Sequence, residues 1–189
     1  MKLSGQRTIA AGINEVYAAL NNPDILSRAI PGCEVLEKIS DTELDATVLL
    51  KVGPVKARFK GKVTLADLNP PHGYTLSGQG SGGAAGFARG EAGVTLREEG
   101  GATVLSYEAT ASVGGKLAQI GNRLIDSSAR KLTEQFFDDF CAAVEGRGEG
   151  AEAAAGEETV PGRGLSRMPL AAWLASGIVL AIAAYLIFG

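Results

Sequence analysis

The sequence predicts an α+β domain in which a curved antiparallel sheet wraps a long C-terminal helix, followed by a linker and a single transmembrane helix. Apolar and polar residues alternate along several segments before residue 113, which is typical of strands with one buried face. An apolar period of 3.6 residues then spans residues 114–144, and residues 170–188 carry no charged side chain. Because an amphipathic helix needs a surface to cover, we expect it to pack on the sheet.

The long helix is predicted from Gly114 to Val144. Its apolar stripe, at spacings of three and four residues, comprises Leu117, Ile120, Gly121, Leu124, Ser128, Leu132, Phe136 and Phe140. The second half of the stripe is bulky, whereas small residues such as Gly121 and Ser128 interrupt the first half. We therefore expect tight packing at the C-terminal half of the helix and free space at its N-terminal half.

The N-terminal part is predicted to be a strand followed by two short helices. The strand covers residues 2–11, Asn14 is expected to cap the first helix, and the second helix starts near Pro23. Further along the chain, strands are predicted at residues 74–80, 85–97 and 103–113, separated by glycine pairs or a proline-rich turn. This order predicts an antiparallel meander.

The clearest local signal is a hairpin around the dipeptide Gly53-Pro54. Residues 44–52 and 55–65 alternate in phase, so that all inward residues meet one another if Val52 lies opposite Val55. The same register places Asp45 opposite Lys62. One face of this hairpin should therefore be buried and the other should face water.

Composition makes catalysis the weaker hypothesis. The formal net charge of −3 does not suggest a nucleic-acid partner. The only histidine, His72, lies in a predicted turn, so no metal centre or Ser/His/Asp triad can be assembled, and we name no catalytic or metal-ligating residue. Cys33 and Cys141 are expected to be buried thiols in a reducing compartment.

A row of basic residues alternates along one strand, and two interpretations stay open. The row consists of Lys56, Arg58, Lys60 and Lys62. It can contact anionic lipid head groups or an acidic partner, or it can be the solvated face of an amphipathic strand. The second interpretation is favoured because antiparallel sheets routinely keep one polar face.

The inward residues of the later strands are mainly glycine and alanine, which favours a cavity. Small residues on the sheet opposite the small half of the helix do not fill the space of about 10 Å between packed layers. Close packing of helix on sheet is the alternative. The candidate lining residues are Val48, Ala57, Phe59, Tyr74, Leu76, Ala88, Ala92, Tyr107, Ala109, Leu117, Ile120, Gly121, Leu124 and Ser128. Since few of these are polar, the ligand should be largely apolar, with one or two hydrogen-bonding atoms.

The chain after residue 146 changes character. Residues 147–168 are rich in Gly, Ala and Glu and predict a flexible linker, and residues 169–189 predict a transmembrane anchor. A buried core helix is the minor alternative, because no further domain remains to bury it. The anchor residues that we single out are Leu170, Trp173, Ile178, Leu180, Tyr185 and Phe188. Arg163 and Arg167 precede the span, which favours a C-terminally anchored, single-pass protein of the cytoplasmic membrane whose soluble domain lies in the cytoplasm.

Several motifs resemble those of the CoxG family of carbon monoxide dehydrogenase subunits, within the START-like (SRPBCC) superfamily. The motifs are Asn22-Pro23-Asp24, residues 30–34 (IPGCE), residues 52–61 (VGPVKARFKG), residues 86–90, Gly114–Ala118, Gly121–Arg123 and Phe136-Phe137. The resemblance covers residues 1–146 and extends to the linker and tail. It implies a helix-grip fold with a hydrophobic cavity.

The resemblance also implies a function. Such a protein helps a cytoplasmic molybdenum hydroxylase of the carbon monoxide dehydrogenase type to associate with the membrane and to pass electrons to respiratory quinone. On this interpretation quinone is a carried ligand, no cofactor is tightly bound, and the protein is not itself an enzyme. A recruitment adaptor without a ligand and a START-like cyclase or hydrolase are the alternatives. The cyclase would need an acid or base inside the pocket, whereas Arg89, Glu91 and Glu108 alternate outward.

Overall fold

A computed structural model describes the backbone of residues 1–153 and the side chains of residues 1–146. Seven strands and three α-helices follow one another along these residues. In chain order they are β1 (Lys2–Ile9), α1 (Ile13–Ala19), α2 (Pro23–Ala29), β2 (Cys33–Lys38), β3 (Glu43–Val52), β4 (Val55–Asn69), β5 (Gly73–Ser81), β6 (Phe87–Glu99), β7 (Ala102–Gly114) and α3 (Asn122–Ala153). Two short 3-10 turns, Gly83–Ala85 and Ala118–Ile120, precede β6 and α3 respectively.

The strands form one antiparallel sheet in the order β1-β7-β6-β5-β4-β3-β2. Strands β2 to β7 are paired with their sequence neighbours, as in a meander, and β1 is added beside β7. The two short helices lie between the two edge strands in sequence. The predicted combination of a meander and a long C-terminal helix is confirmed.

The hairpin of β3 and β4 has the predicted register. Val52 pairs with Val55 and Asp45 pairs with Lys62, with no shift along the ladder. Gly53 occupies the turn with a φ of 55°, a conformation that glycine adopts without a steric penalty. The alternating pattern therefore determined which residues face inward, and the two-residue turn allows that register without a bulge.

The core lies between the inner face of the sheet and the C-terminal half of α3. Phe136 and Phe140 are fully buried, and Phe137 stacks on Tyr107 with 5.3 Å between the ring centroids. Arg7 lies over the Phe137 ring and pairs with Asp138 at 2.7 Å. The bulky half of the predicted stripe thus packs tightly, as expected.

The beginning of the long helix differs from the prediction. Strand β7 continues to Gly114, the chain turns at Gly115 with a φ of 78°, and Gly121 has a φ of 92° immediately before α3. These left-handed conformations are incompatible with a continuous α-helix. Leu117, Ile120 and Gly121 therefore lie on a connecting segment and not on the helix, and Gly121 is exposed.

The start of α3 at Asn122 also changes which residues its first turns bury. Leu124 is 40% exposed, whereas its neighbour Ile125 is only 2% exposed and Ala129 is fully buried. One residue rotates the buried face by about 100°, so the N-terminal half of the predicted stripe was wrong by that amount. The prediction of Asn14 as a cap was also wrong, because α1 starts at Ile13 after Gly12 without a side-chain cap.

At its other end, α3 continues to Ala153, beyond the predicted domain boundary at residue 146. The rest of the predicted linker and the predicted anchor, residues 154–189, lie outside the described residues. Within the described part of the chain, no helix is both long enough and apolar enough to cross a membrane.

The connections before β6 and after β7 approach each other so closely that they require glycine. A Cβ added to Gly86, whose φ is 123°, would lie 2.0 Å from the carbonyl oxygen of Gly114. We predict that Gly86→Ala lowers the free energy of unfolding by about 1–3 kcal/mol or more, measured by urea titration. The matched control is Gly93→Ala in β6, where a Cβ meets no atom within 4 Å. Equal effects of the two substitutions would contradict the proposed close approach.

Candidate hydrophobic ligand site

The inner face of the sheet has a gradient of residue size. A row of small residues crosses four adjacent strands through the register pairs Ala46–Gly61, Gly61–Gly80 and Gly80–Ala88. The next row includes Gly78 and Gly90, which pair directly. Toward the other end of the same strands, β5, β6 and β7 carry Tyr74, Val94 and Tyr107 side by side. The sheet is therefore thin where the N-terminal half of α3 begins and thick where the phenylalanines pack.

Nine predicted lining residues lie on this inner face. Seven are buried and two, Ala57 and Tyr107, are half-buried. The buried ones are Val48, Phe59, Tyr74, Leu76, Ala88, Ala92 and Ala109. All but Ala88 belong to one hydrophobic cluster that also contains the phenylalanines of α3. The strands thus bring the predicted lining residues together on one face.

The lining residues predicted on the helix have a different arrangement. Leu117 is buried on the connecting segment, Ile120 is half-buried, and Ser128 is half-buried on α3. The residues that α3 does place on the core in this region are Ile125, Ala129 and Thr133. Sequence reasoning missed them, although Gly121 was a signal that the helix starts later.

Tyr74 provides a buried hydrogen-bond donor without an acceptor. Its side chain is 3% exposed, and its hydroxyl makes no hydrogen bond. Burial raises the pKa of this hydroxyl far above its ordinary value of 10.0, and nearby Tyr17 adds to the shift. Tyr17 meets it edge to face, with ring centroids 6.2 Å apart. Since buried tyrosine hydroxyls usually find a partner, Tyr74 can donate to an acceptor atom of a ligand.

A second unpartnered polar atom lies at the start of α3. Oδ1 of Asp126 is buried and accepts no hydrogen bond in the described structure. It borders a groove of about 410 Å³ between the start of β1, the end of β7 and α3, whose lining includes Lys2, Ala111 and Ile125. This groove lies at the edge of the sheet beside the small-residue rows, because Ala111 is the register partner of Gly90.

The charged residues of the sheet lie on its outer face, as predicted. Arg89, Glu91 and Glu108 are exposed there, and Arg89 Nε donates to Ser112 Oγ at 3.1 Å. Cys33 and Cys141 are half-buried free thiols, and burial raises the pKa of each. The described residues contain no group of three or more His, Cys, Asp or Glu side chains that could hold a metal ion.

The basic row of β4 is also on the outer face, and part of it is neutralised. Arg58 forms a short ion pair with Glu34 at 2.7 Å, and this contact lowers the pKa of Glu34. Lys62 lies 3.6 Å from Glu43 and directly opposite Asp45. The ion pairs therefore involve alternate members of the row, whereas Lys56 and Lys60 are exposed without a described ion pair.

The curved seven-stranded sheet closed by a long C-terminal helix defines the START-like, helix-grip class of proteins. Similar solved structures support this class. A conserved protein from Geobacillus kaustophilus superimposes with a TM-score of 0.72 at 31% identity, over 77% of this chain and 95% of that chain. The aromatase/cyclase ZhuI from Streptomyces sp. R1128 gives a TM-score of 0.56 at 13% identity, over 80% of this chain and 97% of that chain. At such low identity the second likeness concerns the fold alone.

The family model of the carbon monoxide dehydrogenase protein CoxG matches residues 5–153. The chain therefore belongs to the CoxG family, and this membership associates it with carbon monoxide dehydrogenase. A protein from Thermus thermophilus has the same fold, with a TM-score of 0.59 at 16% identity over 83% of this chain and 100% of that chain. A search of curated proteins found no significant match.

Replacing Tyr74 with Phe tests whether its hydroxyl is unpartnered. In the delipidated protein we expect a gain of about 1–3 kcal/mol in the free energy of unfolding, because a buried hydroxyl without an acceptor is removed. Tyr17→Phe, in a half-buried residue, is the control. A large loss of stability in Tyr74→Phe would contradict the assignment.

The same variant should respond differently to alkaline pH. The pKa of Tyr74 is higher in the folded state than its ordinary value of 10.0, so its contribution to stability is complete below pH 10 and is lost as the pH rises above it. Stability measured across this range should therefore fall less steeply in Tyr74→Phe than in the wild type.

Proposed function

We propose that this protein is a membrane-anchored quinone carrier. It recruits a molybdenum hydroxylase of the carbon monoxide dehydrogenase type to the cytoplasmic membrane and supports electron transfer from that enzyme to respiratory quinone. Family membership supports the partner, because the CoxG family is named for carbon monoxide dehydrogenase. The ligand and the electron-transfer role are supported by the inner face of the sheet and by the sequence.

The observation that carries the proposal is the combination of an apolar inner face with an unmatched donor. Beside the small-residue rows, the inner face offers aliphatic and aromatic surface, and Tyr74 Oη is a buried donor without an acceptor. A quinone has an apolar isoprenoid tail and a head group whose carbonyl oxygens only accept hydrogen bonds. Its chemistry therefore complements this face better than that of a charged or sugar-like ligand.

Escort by a protein removes the main barrier to moving such a lipid. Each methylene group that leaves the bilayer for water costs about 0.8 kcal/mol, so a polyisoprenoid quinone stays in the membrane unless its tail is covered. A pocket between the sheet and α3 covers the tail while the head group accepts electrons from the hydroxylase. The bound quinone is then the electron acceptor, and the carrier itself needs no redox group.

The anchor is inferred from sequence outside the described residues. Residues 170–188 are uncharged and long enough to span a bilayer, with Trp173 and Tyr185 near its two interfaces. Arg163 and Arg167 precede the span and favour a cytoplasmic domain by the positive-inside rule. A tether of this kind keeps the carrier near both the quinone pool and the partner.

Ligand extraction tests the carrier function directly. The full chain, purified from membranes in mild detergent, should yield quinone on organic extraction and mass spectrometry. Ala92→Phe, at a buried inner position, should abolish the quinone, whereas Ala66→Phe, on the outer face of β4, should not. If Ala92→Phe lowers the melting temperature and quinone is absent from the wild type as well, the helix packs closely on the sheet and the carrier proposal fails.

Reconstitution tests the electron-transfer role. Purified hydroxylase and its substrate should reduce quinone faster when quinone is loaded on the full chain in liposomes than when it is presented in liposomes alone. Loaded Ala66→Phe should behave as the wild type. Equal rates with and without the chain would favour an adaptor that recruits the enzyme without carrying a ligand.

Deleting residues 169–189 tests the anchor. We expect the shortened protein to leave the membrane fraction, because peripheral charge contacts alone are screened at high salt. The measurement is sedimentation with membranes in high-salt buffer, with the full chain as the control. Continued sedimentation of the shortened protein under these conditions would contradict a single C-terminal anchor.

A further inference from the structure

Charges are segregated between the two ends of the sheet. At one end lie the β3–β4 turn, the β5–β6 connection and the β7–α3 connection, which we call the rim and define as residues 49–58, 82–90 and 112–125. The rim contains six cationic residues and no acidic one. The opposite end, formed by residues 37–43, 67–73 and 96–102, contains six acidic residues and two basic ones. The cationic residues of the rim are Lys51, Lys56, Arg58, Arg89, Lys116 and Arg123.

Two of these cations face each other at the tip of the rim. Lys51 and Lys56 are direct register partners, next to the Gly53-Pro54 turn. Both are exposed, and the described residues give neither an ion pair. Like charges directly opposite each other destabilise a strand pair, so this pairing does not serve the stability of the hairpin. It does place two cations where they can meet an external anionic surface together.

Apolar groups lie among these cations. Leu124 is 40% exposed and rests against the hairpin turn, since a Cβ on Gly53 would lie 2.6 Å from its Cδ2 atom. Pro54 is exposed beside it. Phe87 is 55% exposed at the start of β6, and its ring covers Gly114. The hairpin turn and the first turn of α3 thus form one surface in which apolar and cationic side chains alternate.

We propose that the rim docks on an anionic lipid leaflet. Exposed apolar side chains with interleaved lysine and arginine are typical of surfaces that insert shallowly into a membrane interface. Lysine is depleted at protein–protein interfaces, which disfavours an acidic protein as the occupant. The proposal deepens the carrier function and rests on it, because the rim is the end of the sheet where the small-residue rows lie.

The length of the chain permits this docking. Helix α3 starts at the rim and ends at Ala153, so its 32 residues separate the two by about 48 Å. The predicted anchor starts at Leu170, and the 16 intervening residues, 154–169, can span at most about 58 Å. The rim can therefore reach the same bilayer that holds the anchor.

The basic row of β4 is divided by this proposal. Lys56 belongs to the tip and faces the lipid. Arg58 is engaged by Glu34 and Lys62 by Glu43, so these two contribute less to an external contact. Lys60 lies further along the outer face and provides a control position, as does Lys131 on α3, because both are exposed away from the tip.

Lipid-quenching of a labelled cysteine tests the contact on the full chain in liposomes. A fluorophore on Pro54→Cys should be quenched by nitroxide-labelled lipids in vesicles of phosphatidylcholine with phosphatidylglycerol, and less in phosphatidylcholine alone. A label on Ser40→Cys, at the acidic end, should be quenched in neither. Lys51→Gln with Lys56→Gln should weaken the contact about fivefold per lysine. The matched pair Lys60→Gln with Lys131→Gln should leave it unchanged.

The outcomes separate this proposal from the carrier function. Equal quenching in charged and neutral vesicles, or equal effects of the two lysine pairs, would overturn rim docking. So would a loss of hydroxylase binding in Lys51→Gln with Lys56→Gln while lipid quenching is unchanged, since the occupant would then be the protein. Quinone in the extract without rim contact would overturn docking alone. Rim contact with no quinone in the extract would support docking and reject the carrier.

Discussion

The packing of the C-terminal half of α3 into the curved sheet is the interaction on which the rest of the structure depends. Phe136 and Phe140 are fully buried there, and Phe137 stacks on Tyr107 of β7. Burial of aromatic side chains of this size contributes several kcal/mol each, far more than any exposed ion pair of the sheet. Because this contact fixes the helix at one end, the other end can retain small residues and unfavourable conformations.

Those unfavourable features are concentrated at the rim. Gly53, Gly86 and Gly121 have positive φ there, and Lys51 pairs with Lys56 at a cost of roughly 0.2–1 kcal/mol. Each feature weakens local stability without adding to the core. Their separation from the phenylalanine cluster places stability at one end of the sheet and the proposed ligand and lipid contacts at the other.

The sequence predicted the sheet better than it predicted the helix. Strand alternation constrains register strongly, since a slip of one residue would expose the whole inner set, and Val52 and Val55 pair as expected. The helix start depended on Gly115 and Gly121, whose positive φ results from the tertiary approach of Gly86 and from the turn before α3. Propensity and periodicity carry no information on such contacts, so the lining residues of α3 were misplaced while those of the strands were not.

The pairing of an unmatched donor with a cationic rim gives the molecule a direction. Tyr74 lies toward the phenylalanine end of β5, whereas the small-residue rows lie between it and the rim. A lipid that entered from the rim with its head group first would place a carbonyl oxygen near the Tyr74 hydroxyl and leave its tail along the glycines and alanines. Entry in the opposite sense would leave Tyr74 unpartnered in the apolar interior. The cost of an unsatisfied buried hydroxyl, about 1–3 kcal/mol, therefore favours the first orientation.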